Sequence, residues 1–418
     1  MSSFSIALSG LTASNSDLDV TANNIANANT IGFKGSRAEF ADVYAAGAVN
    51  LNTSSIGEGV RLDDTAQQFT QGNITTTGSN LDLAISGDGF FTLADPTNGT
   101  VYTRNGEFQE DKNGNVVTAT GAALQVYPPV ATGGFNTGAL TDLNLQTAQS
   151  APAATATGSA ILNLPADSTE PVDGATAAAS TTFVPTDATS YNESTSTTVY
   201  DSLGNAYPAT FYFTQTATTG TWDVNMTVNG VVAGPTQTLT FSSTGAVTPA
   251  GGGKLTWPGF APTDGATSPQ SMTFDFGQST QYGGSFGVTS ITQDGFATGQ
   301  LSTVAIDSTG VVSAVYTNGR STQLGQLALA NFPDPQGLKQ LGDTNWAETF
   351  TSGTAVSGTA GTAGFGSIQS GALESSNVDL TTELVNMITA QRAFQANAQV
   401  ITTANQLAQT VININGAA

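Results

Sequence analysis

Apolar residues recur at helical spacing at the two ends of the chain, whereas the long stretch between them alternates at every second position, and this contrast limits the fold most. Phe4, Leu8, Leu11, Leu18, Ala22 and Ile25 are separated by three, four or seven residues, the mark of one face of a helix, with Asn15 as its polar exception. Gly32 is a plausible stop, since glycine accepts the left-handed conformation that commonly ends helices. At the other end Leu380, Leu384, Met387, Phe394, Ala398, Ile401, Ala408 and Ile412 repeat the pattern, interrupted by Gln391 and Asn405. Asp379 and the run Thr381, Thr382, Glu383 give this second helix an acidic, cap-rich start that complements its dipole.

Between the helices, segments such as Thr210 to Phe213, Asp223 to Val228 and Val311 to Tyr316 alternate with period two, as half-buried strands do. Asn98-Gly99, Asn105-Gly106, Asn113-Gly114, Asn229-Gly230 and Asn318-Gly319 read as hairpin turns, because both residue types tolerate positive φ. Stretches rich in Ala, Thr, Gly and Pro near Thr147 to Ala160, Pro249 to Gln270 and Thr351 to Gly366 are candidate boundaries or long loops. The segment Lys34 to Gln71 has no clear period and reads as an extended arm, expected to order only against neighbouring subunits. The fold class expected is α+β and multidomain, with the terminal helices paired as a coiled-coil-like stem and nested all-β middle and outer domains.

Composition narrows the function. The 418 residues carry 31 acidic and 9 basic side chains, a net charge of −22, with no His and no Cys. A nucleic-acid surface needs clustered cations that this chain lacks. Disulfides, thiol nucleophiles, a His base and ordinary zinc sites are excluded, and no cofactor is expected. The paired acids Asp63-Asp64, Asp82 with Asp88 and Glu107 with Glu110 sit beside turn residues, where solvated carboxylates are commonplace, so no catalytic residue is nominated. Asp111 to Asn115 lacks the alternating ligands of a calcium loop and reads as a hairpin turn. Gly87-Asp88-Gly89 opens no helix and precedes no Gly-Lys-Ser/Thr, so it is not a phosphate loop. No apolar run approaches the roughly 18 residues of a membrane span, and no basic segment precedes a short apolar core at the start, so export without a cleaved signal peptide is expected.

Charged residues are only 10% of the chain, and the terminal helices lack the Lys and Glu pairs of a solvated face. Low charge suits packing against many copies of the same chain, although a secreted β-rich adhesin would share the composition.

Specific blocks then carry a resemblance. Leu8-Ser9-Gly10-Leu11 and the run Leu18 to Lys34, containing Asn23, Asn24, Asn27, Gly32 and Phe33, resemble the N-terminal signature of bacterial flagellar rod and hook proteins. Gln71-Gly72-Asn73-Ile74, then Ala84 to Phe91 with Gly87, Asp88, Gly89 and Phe90, and Tyr102-Thr103-Arg104-Asn105-Gly106 are similar to further family blocks. So is Gly371 to Ala398, which contains Leu373-Glu374, Asn377, Gln391 and Arg392. Tyr200 to Pro208 resembles a motif opening the large insertion of the hook branch, which the shorter distal rod protein lacks.

The resemblance implies an N-terminal core helix at 1–33, an arm at 34–72, a middle β domain from 73–146 with 284–369, an inserted outer β domain at 147–283, and a C-terminal core helix at 370–418. It implies a helical homopolymer, a short curved tube acting as a universal joint, built through the apolar residues of the two helices. The partners implied are the distal rod protein, the hook cap, the hook–filament junction protein, the hook-length control protein and the flagellar type III export apparatus, and the location implied is extracellular.

Overall fold

The computed structural model describes residues 2–43, 57–145, 149–172, 183–249, 252–362 and 364–416, side chains excepted at 2, 3 and 411–416. The chain divides into two compact units, Met1–Gln146 with Thr303–Val315 and Ser321–Ala418, and Thr147–Ser302 with Tyr316–Arg320.

The first unit contains both helices, α1 (Ser2–Ala26) and α2 (Leu380–Gly416). Helix α1 stops short of the expected 33, because asparagines there offer the backbone alternative partners. Asn27 Nδ2 donates to the Asn23 carbonyl (3.0 Å) and to its side-chain oxygen (2.9 Å), and two further turns follow before Gly32 at φ +68°. Helix α2 starts where its acidic cap predicts, with the Thr382 amide donating to Asp379 Oδ1 (2.8 Å). Residues before it are not helical: Ser367–Ser370 pairs with Leu83–Ser86, and Ala372–Glu374 pairs with Ile74–Thr76.

The described parts of the expected arm form strands, while its residues 44–56 lie outside the described residues. Strands β1 (Ser36–Asp42) and β2 (Val60–Gln67) form an antiparallel ribbon that packs on α1 within the single chain. Ser9 Oγ accepts the Val60 amide (3.2 Å), and Asn24 brackets Ser36 by accepting its amide (2.9 Å) and donating to its carbonyl (2.7 Å). Alternation in the ribbon is blurred because Phe40 and Leu62, paired across it, are both exposed, so no clean period shows in the sequence.

Besides these three two-stranded pairings, this unit has one large sheet in which Ser321–Asn331, Ala123–Tyr127, Phe90–Asp95, Gly99–Thr103 and Asn345–Ala347 are successive neighbours. Strand alternation sends Phe91 and Val101 into an aliphatic core with Leu83, Leu93, Leu124 and Leu329, and their neighbours Phe90 and Tyr102 into an aromatic cluster with Phe332 and Trp346. Four of the five Asn-Gly glycines, 99, 114, 230 and 319, have positive φ as the turn reading requires. Gly106 does not: it sits where the Leu83 amide donates to its carbonyl (2.9 Å) and a Cβ would collide with the Leu83 carbonyl oxygen.

The second unit is a sandwich of two five-stranded sheets sharing one core. Phe211, Phe213, Trp222, Trp257, Phe274 and Phe276 fill it, Phe211 meeting Phe274 edge to face at 4.8 Å. Gly287–Gln293 pairs with Thr157–Pro165, which carries this unit to Ser302 and corrects the expected boundary at 283. The Tyr200 to Pro208 motif is a hairpin turn capped by buried Asp201, whose Oδ1 accepts the amides of Leu203 (2.8 Å) and Asn205 (2.9 Å). Lys254–Phe260 and Val356–Thr359 are strands inside stretches read as linkers, and Thr157–Pro165 begins within a third.

Gly106→Ala is expected to destabilise the first unit by about 1–3 kcal/mol, the usual range for forced overpacking. Urea unfolding followed by Trp346 fluorescence, in a background with Trp222 and Trp257 replaced by Phe, would check it.

Candidate functional site

Helices α1 and α2 run antiparallel, with Gly10 against the Asn397 side chain and residues 17–24 lining the same groove as 378–389. On α2 the buried or half-buried positions are Glu383, Met387, Ala390, Phe394, Asn397, Ala398, Ile401 and Ala404, and Leu384, Val385 and Ile388 between them are exposed. On α1 the buried side chains are Ala7, Ser14, Thr21 and Asn24. The seam is thus built of small and neutral polar groups on the α1 side, which lets the helix axes approach closely.

The nominated apolar residues divide into two sets. Leu11, Leu18, Ile25, Met387, Phe394, Ala398 and Ile401 are half-buried within the chain. Phe4, Leu8, Ala22, Leu380, Leu384 and Ala408 remain exposed, Leu384 to 50%, while the Ile412 side chain lies outside the described residues. Sequence reasoning missed Val385, Ile388, Val400 and Leu407, which extend the exposed apolar surface of α2. Their spacing of three, and of seven between Val400 and Leu407, was the available signal.

Where the stem meets the β sheet, the family blocks converge on a buried ionic clasp. Lys34 Nζ donates to Glu374 Oε1 (2.7 Å) and to the Thr70 carbonyl (2.8 Å), and Arg104 Nη1 lies 3.3 Å from Glu374 Oε2. The Gly72 amide donates to Glu374 Oε1 (2.8 Å), and the Gly32 amide to the Glu374 carbonyl (2.8 Å). Gly32 can lie flat against the Arg104–Asn105 backbone only because it lacks a side chain. Asn377 completes the join by accepting the Gly35 amide (2.8 Å) and donating to the carbonyls of Gln68 (2.6 Å) and Thr70 (3.2 Å). Burial pushes both cations below their ordinary pKa, and the Glu374 carboxylate opposes that shift. The Arg104 guanidinium also lies 5.4 Å from the Phe90 ring centre.

Of the motif residues, Asn24, Gly32, Phe33, Phe90 and Asn377 border this clasp, and Phe33 accepts the Asn377 amide on its carbonyl (3.4 Å). Gly87 donates to Gln71 Oε1 (3.1 Å), Asp88 accepts the Gly366 amide (2.7 Å), and Gly87 and Gly89, both at positive φ, turn the chain into Phe90–Asp95. Asn23 and Asn27 close the end of α1, whereas Gln391 and Arg392 are exposed on α2 and take no part in the clasp. Lys34, Arg104 and Glu374 lie inside the family blocks, and the placing there of two of only nine cations is the signal in the sequence that points to them. Among the described residues no three acids gather to hold a metal ion. Asp111 caps its own turn by accepting the amides of Asn113 and Asn115 (2.8 Å each), as the hairpin reading expected.

The chain matches four family models: the flagella basal body rod protein at 4–34, the flagellar hook protein FlgE/F/G D1 domain at 84–170, the flagellar basal body protein FlaE D2 domain at 163–296, and the flagellar basal body rod FlgEFG protein C-terminal at 369–414. It is 39% identical to the flagellar hook protein FlgE of Salmonella typhimurium, over 99% of this chain and 100% of that one. The chain belongs to the flagellar hook protein family. Other members are 38% identical in Escherichia coli K12, over 98% of this chain and 99% of that one, and 32% identical in Borreliella burgdorferi, over 99% of both. The crystal structure of Helicobacter pylori flagellar hook protein FlgE2 shares the fold, with a TM-score of 0.52 at 14% identity over 72% of this chain and all of that one. The hook family is structural, and this member is a hook subunit with its terminal helices packed together.

Glu374→Gln should cost about 3–5 kcal/mol, because it leaves two buried cations without their shared anion. Lys34→Met should cost less, since Arg104 still neutralises Glu374; urea unfolding of the first unit would rank the two. Asp379 has its pKa held below the ordinary carboxylate value, chiefly by the Thr382 amide. A depressed folded-state pKa stabilises above the unfolded value and is lost as pH falls through the folded one. Helicity at the start of α2 should therefore fall below about pH 4, and Asp379→Asn should flatten that step in amide exchange measured across the same pH range.

Proposed function

We propose that the protein polymerises through its two terminal helices into a short curved tube, a universal joint that passes torque from the flagellar rod to the filament. The observation that carries this reading is the exposed apolar surface of a helix pair whose own seam is already closed. Leu384, Val385, Ile388, Val400 and Leu407 on α2, with Phe4 and Leu8 on α1, face solvent in the single chain. Burying such side chains contributes about 1.5–3 kcal/mol each when fully removed from water. A head-to-tail contact of this kind, repeated about an axis, builds an open helical tube.

The protein acts by assembly and not by catalysis. Its neighbours along the flagellum are the distal rod protein, the hook cap, the hook–filament junction protein and the hook-length control protein. It reaches an extracellular position through the flagellar type III export apparatus. The absence of Cys fits a chain that folds only after export.

Leu384→Asp is expected to abolish tube formation while leaving the β units folded, since an isolated carboxylate buried in a helical core is strongly unfavourable. Leu11→Asp should do the same. Electron microscopy under polymerising conditions, with circular dichroism of the monomers, separates the outcomes. Curved tubes from the native chain and none from a truncation lacking α2 are expected; unchanged tubes from both Asp variants would refute the helical interface, and straight tubes would refute the flexible joint.

A further inference from the structure

We infer that Phe350 is a second, separate anchor between subunits, packing against a neighbouring copy of this chain. This rests on the assembly reading above and adds a contact outside the helices. Phe350 is the most exposed large apolar side chain among the described residues, with its whole ring in solvent. Flexible loop tips often expose an apolar residue without consequence, but this loop is held from both sides. The Thr349 amide donates to Ser352 Oγ (2.9 Å), the Ser352 amide donates back to Thr349 Oγ1 (3.2 Å), and Ser352 Oγ donates to the Thr349 carbonyl (3.0 Å). Thr349 and Thr351 hydroxyls both donate to the Gly337 carbonyl, and Ser352 is fully buried beneath the turn. A ring presented on a braced loop loses little conformational freedom on docking, which is the condition for an energetic anchor.

The occupant follows from charge. Two copies carrying −22 each repel, so contacts between them must be made by neutral groups. Thr349 to Val356 contains no charged residue, Val356 beside it is exposed, and the adjacent Glu348 turns its carboxylate back to accept the Ala355 amide (3.2 Å). A neutral patch centred on one aromatic ring fits another copy better than it fits a basic or charged partner.

The test places benzoyl-phenylalanine at 350 in the full chain and irradiates intact flagella. Covalent dimers of this chain are expected. Hooks that form but give no crosslink, or crosslink to a different protein, overturn this inference alone; failure to form hooks with either the native chain or this variant overturns the assembly reading and this one with it. In purified protein Phe350→Ser should raise the critical concentration for polymerisation by about tenfold without moving the monomer's melting temperature, and Phe350→Leu should recover most of the loss. Equal critical concentrations for Phe350→Ser and the native chain would also overturn it.

Discussion

One buried carboxylate ties together the segments that join the helices of the first unit to its sheet. Glu374 is fully buried, and its two oxygens hold Lys34, Arg104 and the Gly72 amide, while its carbonyl holds Gly32. These groups come from the turns that follow α1 (Gly32, Lys34), the connection between the ribbon and Ile74–Thr76 (Gly72), the bend after Gly99–Thr103 (Arg104) and the lead into α2 (Glu374). Desolvating three charges is costly, and a packed apolar cluster of the same volume could stabilise as well. What an ionic clasp adds is direction: the guanidinium and ammonium fix where each segment sits, and a one-residue slip of any segment would strand a charge. In the proposed joint, where the stem carries torque, fixing the angle at which the stem leaves the sheet matters more than the net free energy of the join.

Scarcity of charge makes that clasp conspicuous and explains the rest of the surface. Two of the nine cations are buried on one anion, which leaves at most seven cations for a surface whose net charge is strongly negative. Solubility then rests on acids and neutral hydroxyls, and the helices avoid Lys and Glu pairs that each neighbouring copy would have to desolvate. The small residues Ala7, Gly10 and Ser14 close the intrachain seam at little expense of apolar surface. A second set of larger side chains, Leu384, Val385, Ile388, Val400 and Leu407 among them, is left exposed, which is the arrangement the proposed repeating assembly needs.

The helices were legible because periodicity is local: Leu8, Leu11 and Leu18 declare a face whatever they later touch. Asp379 likewise marked the start of α2 by its own chemistry. Partnerships across the chain were not legible. Glu374 looks like any acid in a strand until Lys34, 340 residues earlier, is beside it. Gly287–Gln293 reads equally well as a strand of either unit, and only its pairing with Thr157–Pro165 decides, which is why the boundary fell too early. The β1–β2 ribbon was missed for a related reason, since a two-stranded ribbon with apolar residues on its open face has no alternation to detect. Asn105-Gly106 misled because the turn signature and a close backbone approach both call for glycine.

The proposed joint must resist twist while permitting bend, and the distribution of side chains bears on how one chain could do both. Twist loads the helical stem, where interdigitated side chains and the clasp would have to break together before anything slips, so the response is stiff. Bending instead asks contacts between neighbouring copies to lengthen and shorten in each turn. Short hydroxyl and amide side chains suit that demand, because water replaces each lost hydrogen bond at small net expense. A surface of ion pairs would be stickier and more register-bound. The same shortage of charge that leaves Glu374 exceptional in the interior thus leaves the exterior free to exchange partners, and a single aromatic anchor on a braced loop would limit how far that exchange can travel.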